Sequence, residues 1–180
     1  MYPKKRVKIA IIMLVSSFYA HGASIIIPEN FQANFTEKIT NTKNKTINYK
    51  GKVRFSDKTK MKWSFLAPTK KETCVNDKAL MVVDHDLEQV SHYIITKKFN
   101  LIETLKKAKL YKKNIYLAHM NGKSVTIQVD NQGKIHSIAR FDDLDNKVQI
   151  IFKNVKYGKG SLSQKSMTCK VPKAYDVIDG

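Results

Sequence analysis

The sequence predicts a mainly β protein with some helix, built as a meander of roughly ten antiparallel strands interrupted once by an amphipathic helix. Three observations predict it. Apolar and polar residues alternate with a period of two through most of the chain. Short Asn-, Asp- and Gly-containing turn signals separate those runs. One stretch, from Phe99 to Leu110, changes to helical spacing.

The first segment decides the compartment. Lys4, Lys5, Arg6 and Lys8 make a positive start, and Ile9 to Phe18 follows without a charge. That apolar run is shorter than the ~20 residues needed to cross a bilayer. Ala20 and Gly22 fall at the −3 and −1 positions of a cut before Ala23, so residues 1–22 read as a secretory signal peptide. Residues 23–180 read as one exported domain, because no Pro- or Gly-rich linker and no fixed repeat divides them. No cysteine follows the apolar run, so the mature chain is not expected to be lipidated itself.

Strands are expected near 33–40 and 46–56, parted by Asn41 to Lys45. On the next strand Met61, Trp63 and Phe65 share one face, and Lys60, Lys62 and Ser64 share the other, outward face. Asp84-His85-Asp86 turns the chain between strands near 79–83 and 88–95. In the helical stretch Leu101, Ile102, Leu105, Ala108 and Leu110 line one side, with Asn100 as N-cap and Glu103 completing a capping box. Asn121-Gly122 is a type I′ hairpin signal between strands at 114–120 and 123–130. Asn131-Gln132-Gly133 and Asp142 through Asn146 make the next two reversals, leading to Val148, Ile150 and Phe152. A lone helix in such a meander is expected to lay its apolar side on the concave face of a curved sheet and enclose an apolar cavity.

Charge and cysteine content limit the function classes. Without residues 1–22 the chain keeps 29 of its 33 basic residues against 15 acidic ones, a net charge of +14. The lysines are spread along the whole chain, which favours a solvated exterior over a nucleic-acid patch; attraction to anionic lipid headgroups is a secondary reading. Cys74 and Cys169 are an even pair in an exported chain, so a disulfide is favoured over two buried thiols. Loop closure would give such a bridge ~4–5 kcal/mol at best.

Catalytic and metal patterns are weak. His85, His92, His119 and His136 have no metal-ligand spacing, and Asp84-His85-Asp86 reads as a turn rather than a cation site. Asp142, Asp143 and Asp145 lack the Gly and distal Glu of an EF-hand loop. Ser161 to Ser166 has no nucleophile-elbow pattern, and no phosphate-binding glycine loop occurs. The expectation is a protein that is not an enzyme, with no catalytic residues, metal or cofactor.

Several short motifs together resemble the LolA family of outer-membrane lipoprotein carriers. Phe31-Gln32-Ala33-Asn34-Phe35-Thr36 looks like the family's opening Phe-Gln-Ala-x-Phe-Thr. Trp63 and Pro68 match its third-strand Trp and following Pro, and Asn76-Asp77-Lys78 is similar to its Asp-Gly-Lys turn. Asp86-Leu87-Glu88-Gln89-Val90 matches its Asp-Leu-Glu-Gln-Val signature. Val171-Pro172-Lys173-Ala174-Tyr175-Asp176-Val177-Ile178 resembles its ending. Each match is weak alone, but the ordered set spans nearly all of the mature chain.

The resemblance implies a half-open antiparallel β-barrel of ten or eleven strands, with a helical lid over an apolar cavity. It implies a periplasmic, monomeric carrier that takes lipoproteins from an inner-membrane LolCDE-type releasing complex and passes them to an outer-membrane receptor such as LolB. Two departures stand out. Only Ala23 to Asn30 precede the Phe-Gln-Ala motif, where the family has an amphipathic helix. Asp57 and Lys58 stand where the family often has an Arg-Pro pair whose Arg latches the lid, leaving Lys58 or Lys60 as a loose substitute.

A carrier of acylated proteins must keep hydrocarbon from water, and a chain of ~15 methylenes carries on the order of 12 kcal/mol. Contiguous apolar lining is therefore required. The expected lipid-binding residues are Met61, Trp63, Phe65, Leu80 and Val82 on strands, with Leu101, Ile102 and Leu105 on the helix. The competing class is a secreted basic β-rich module binding polyanions or anionic lipid surfaces, with Lys62-Trp63 and Tyr111-Lys112-Lys113 as stacking platforms. The export signal argues against nucleic acid as its ligand.

Overall fold

A computed structural model describes residues 23–57, 59–95, 101–120 and 122–179. The expected signal peptide at 1–22, the Asn100 cap, Lys58 and Asn121 lie outside the described residues. In chain order the elements are β1 (Asn30–Thr40), β2 (Thr46–Ser56), β3 (Lys60–Ala67), β4 (Lys71–Asn76), β5 (Ala79–Asp84), β6 (Gln89–Ile94), α1 (Leu101–Lys106), β7 (Lys109–Lys112), β8 (Ile115–Met120), β9 (Lys123–Val129), β10 (Ile135–Phe141), β11 (Lys147–Gly158), α2 (Gln164–Met167) and β12 (Asp176–Asp179).

All strands join one 12-stranded sheet, in the order β12-β6-β5-β4-β3-β2-β1-β11-β10-β9-β8-β7. Neighbours are antiparallel except β12, which runs parallel to β6. The expected ten or eleven strands become twelve because the short β7 and β12 extend the two edges. The sheet stays open, since those edge strands do not pair with each other. Two of the long central strands, β1 and β11, pair along most of their length and bring both ends of the domain together.

The turn chemistry follows the sequence. Gly122 and Gly133 adopt φ of 80° and 81°, a left-handed geometry that costs glycine nothing. The Asn41 side chain accepts hydrogen bonds from the Lys43 and Lys45 N–H groups, and Asp142 does the same for Leu144 and Asn146.

The helical stretch is shorter than its spacing suggests. α1 ends at Lys106, and Leu110 lies in β7 opposite Tyr116, with 56% of its surface exposed. Lys109-Leu110-Tyr111-Lys112 fits a strand as well as a helix, and pairing with β8 decides the outcome. Glu103 in the first turn and Lys106 in the last complement the helix dipole. Among the described residues two apolar clusters result, one on each side of the sheet. The larger takes its buried residues from β1, β2, α1 and β8 to β11, and the smaller joins Val83 and Val90 to Cys169.

Candidate functional site

Strand register decides which side chains meet over the larger cluster. Phe31, Phe55, Met61 and Val75 stand opposite one another across β1 to β4, and Ala33, Val53, Trp63 and Thr73 form the next row. Phe35, Gly51 and Phe65 form a third. Side chains two apart on a strand share a face, so all three rows point the same way.

Gly51 lets the third row close. A Cβ there would lie 2.1 Å from the Ser64 carbonyl oxygen and 2.7 Å from the Phe35 ring. With glycine in place, Phe35 meets Trp63 and Phe65 edge-on, with centroids 4.7 and 5.3 Å away. Tyr49 extends the group, 5.6 Å from Phe65. Each such pair adds ~0.5–1.5 kcal/mol beyond its burial. In the other half, Ile150, Ile138 and Ile127 form one row, and Phe152 meets Phe31 edge-on at 5.4 Å. Below them the Tyr157 hydroxyl accepts the Ile135 N–H at 2.8 Å, and burial pushes its pKa up to about 12.

Between these halves lies a cavity of about 460 Å³, walled by Met61, Trp63 and Phe65 on one side and by Ile127, Ile138 and Phe152 on the other. Thr104 of α1 also lines it. Its charged groups are Glu37, Arg140 and Asp143, which the register puts at the end nearest the β1–β2 and β10–β11 turns. Burial raises the Glu37 carboxyl above its ordinary value, with the Arg140 charge opposing the shift. Lys123 Nζ lies 3.2 Å from the Asp143 carboxylate. The volume falls within the ~300–1,000 Å³ of ligand sites, and apolar walls with a charged rim suit a hydrocarbon chain bearing a polar end.

The expected lipid-binding residues divide into groups. Met61, Trp63 and Phe65 come together on the cavity wall. Leu80 and Val82 share their face, opposite Val75 and Thr73, but lie beyond the wall. Leu80 instead lines a separate recess of about 490 Å³ beside Met167 and the cystine. Ile102 and Leu105 are 4% and 2% exposed within the larger cluster, so they anchor α1 rather than line the space. The Leu101 side chain lies outside the described residues. The sequence pattern does not single out Thr104, Glu37 or Arg140 as lining residues. Glu37 does leave a trace in the sequence, as a carboxylate in the apolar row Phe31, Ala33, Phe35, Ile39.

The opposite side of β3 differs from the sequence expectation. Lys62 is 5% exposed instead of facing solvent. Its Nζ lies 2.9 Å from Glu72 Oε1 and donates to the Thr168 carbonyl at 2.7 Å. The cause is non-local: residues 167–170, bonded through the Cys74–Cys169 disulfide with Cα atoms 5.9 Å apart, cover this part of the sheet. The Glu72 carboxyl also accepts the Lys170 N–H at 2.8 Å. Burial pushes it up, but the hydrogen bonds from Lys170 and Lys62 outweigh burial and hold it below its usual range. Lys60 ion-pairs with Asp57 at 3.0 Å, and Asp57 also accepts the Ser161 hydroxyl. These residues clasp the β2–β3 turn to the C-terminal segment.

The acidic turn positions have structural partners. Asp84 accepts the Asp86 and Leu87 N–H groups, Asp86 accepts the Lys70 N–H, and His85 bonds the Tyr175 hydroxyl at 3.1 Å. No group of three potential metal ligands occurs among the described residues.

No protein-family model matches the chain. It is 35% identical over 148 residues to the outer-membrane lipoprotein carrier protein of Campylobacter jejuni, covering 82% of this chain and 85% of the relative. It is 25% identical over 166 residues to the protein of that name from Helicobacter hepaticus, covering 92% and 90%. Among solved structures, an uncharacterized conserved protein from Thermus thermophilus shares the fold, with a TM-score of 0.54 at 11% identity, covering 86% of this chain and 92% of that one.

Proposed function

The chain belongs to the outer-membrane lipoprotein carrier (LolA) family, whose members are carriers and not enzymes, and on that premise we propose that it shields lipoprotein acyl chains in the cavity beside Met61, Trp63 and Phe65. One observation carries this reading: an apolar cavity of about 460 Å³ on the sheet face, with its charged groups gathered at one end. Acyl chains would lie along the aromatic wall, and Glu37, Arg140 and Asp143 would meet the polar linker of the cargo. Met61 is suited to variable cargo because its thioether side chain is flexible and polarizable.

In this reading the open sheet acts as a half-barrel and α1 covers part of its working face. The carrier is a periplasmic monomer, exported by residues 1–22. The Cys74–Cys169 disulfide fits an oxidising compartment. It accepts lipoproteins from an inner-membrane LolCDE-type complex and delivers them to an outer-membrane receptor such as LolB. Mass spectrometry of protein purified from periplasm in detergent-free buffer tests the proposal. A co-purifying acylated lipoprotein is expected. Protein free of any acylated species, from cells that contain lipoproteins, would contradict it.

A further inference from the structure

The face opposite the cavity carries a cluster of positive charge. Register places Asn34 between Lys52 and Lys153, and Gln32 between Arg54 and Lys156. Lys50 extends the same face of β2. The residues between them on β1 are neutral. No ion pair involves these cations among the described residues. Glu72, the carboxylate in the Lys52 row, is already held by Lys62 and the Lys170 N–H.

A β-bulge concentrates this charge. From Gln32 to Asn34 the partner on β11 moves from Lys156 to Lys153, so β11 carries one extra residue. Phe152, Val155 and Tyr157 can then all pack into the core, while Lys153 and Lys156 both flank the outer face. In a regular strand those two lysines would point to opposite sides. Asn154 has φ 54° at the bulge, and it lines a shallow cleft with Gln32, Asn34, Lys52, Arg54 and Lys156. Amide donors beside a guanidinium and ammonium groups suit phosphate oxygens.

We propose that this outer face docks on a membrane surface through anionic phospholipid headgroups. A single soluble anion would need only the cleft, whereas the cations flank β1 on both sides, on β2 and on β11. Exposed apolar side chains lie on the same face, with Ile151 42% and Phe141 56% exposed. Cations that meet headgroups and apolar side chains that reach past them fit an interface better than an acidic protein or a free anion. Docking this way leaves the cavity on the opposite face open. The inference does not depend on what the cavity carries.

The test is co-sedimentation of purified protein with phosphatidylcholine vesicles, with and without phosphatidylglycerol. Binding should need phosphatidylglycerol and should fall as salt rises. The triple variant K52Q/R54Q/K156Q should bind on the order of 100-fold more weakly, at about fivefold per charge. The control K109Q/K112Q/K113Q, with the same charge change at the β7 end, should stay near the parent. M61E should also bind normally, which separates docking from uptake into the cavity. Equal loss in the control triple would leave only net charge as the cause and overturn the proposal. Loss in M61E would relocate binding to the cavity and overturn it as well. Failure to bind phosphatidylglycerol vesicles, with tight binding to poly-glutamate or inorganic phosphate instead, would assign the face to an acidic protein or a free anion and end the idea.

Discussion

Lys62 and Glu72 form an ion pair of 2.9 Å on the side of the sheet away from the cavity, where residues 167–170 cover it. Removing the cation leaves a partly buried carboxylate whose remaining partner is chiefly the Lys170 N–H. Lys62→Met should therefore cost about 2–4 kcal/mol near neutral pH, somewhat below a fully dry pair because Glu72 keeps some solvent contact. Glu72 titrates below its ordinary value in the fold, so its contribution is present above about pH 4.5 and fades as pH falls through the lowered value. Urea unfolding of both proteins at pH 7 and pH 3 should show the difference narrowing in acid.

The disulfide ties β4 to the segment that covers Lys62, closing a loop of sequence separation 95. Non-reducing peptide mapping should recover one Cys74–Cys169 linked pair. Reduction should lower stability by up to ~4–5 kcal/mol and open residues 159–175 to protease before the rest of the domain. Uniform cleavage across the domain would count against that order.

Glu37 supplies a test with the opposite pH sign. Burial raises its carboxyl pKa, with Arg140 opposing, so the fold binds that proton more tightly than the unfolded chain does. The favourable contribution is complete below about pH 4.5 and is lost as pH rises through the raised value. Glu37→Gln should raise Tm at pH 7 and give no gain near pH 4. A lower Tm at pH 7 would mean that the attraction of Arg140 outweighs burial.

Trp63 is the single tryptophan of the chain and stands on the cavity wall. Its emission should shift to the blue, with saturation, when a long-chain acyl ligand is added, and a short-chain acid should leave it unchanged. Identical responses to both would mean that the ligand does not enter beside the ring.

Much of this arrangement is legible in the sequence where one strand face is buried and the other wet. Met61, Trp63 and Phe65 read correctly as one face because alternation is clean there, and so do Val125, Ile127 and Val129. β4 carries no clean alternation in the sequence, since both its faces are covered: Thr73 lines the cavity and Cys74 is bonded to the far segment. Lys62 reads as solvent-facing in the sequence because its burial depends on Thr168, 106 residues away, and no local pattern carries that. Helical spacing runs past the end of α1 because Leu110 satisfies both periods until β8 pairs with it. The β11 bulge that gathers Lys153 and Lys156 also has no signature in alternation alone, because it breaks it.

The most direct test of the lipid cavity is lipoprotein release from spheroplasts by the parent protein and by two single variants. Met61→Glu places a carboxylate on the apolar wall, where an unpaired charge is costly to bury. Ser124→Glu adds the same charge at an exposed position on the opposite face, directly across from His119. With circular dichroism showing both variants folded, Met61→Glu should release at least tenfold less lipoprotein and Ser124→Glu should match the parent. A folded Met61→Glu that releases lipoprotein as well as the parent would mean that acyl chains do not lie along Met61, Trp63 and Phe65.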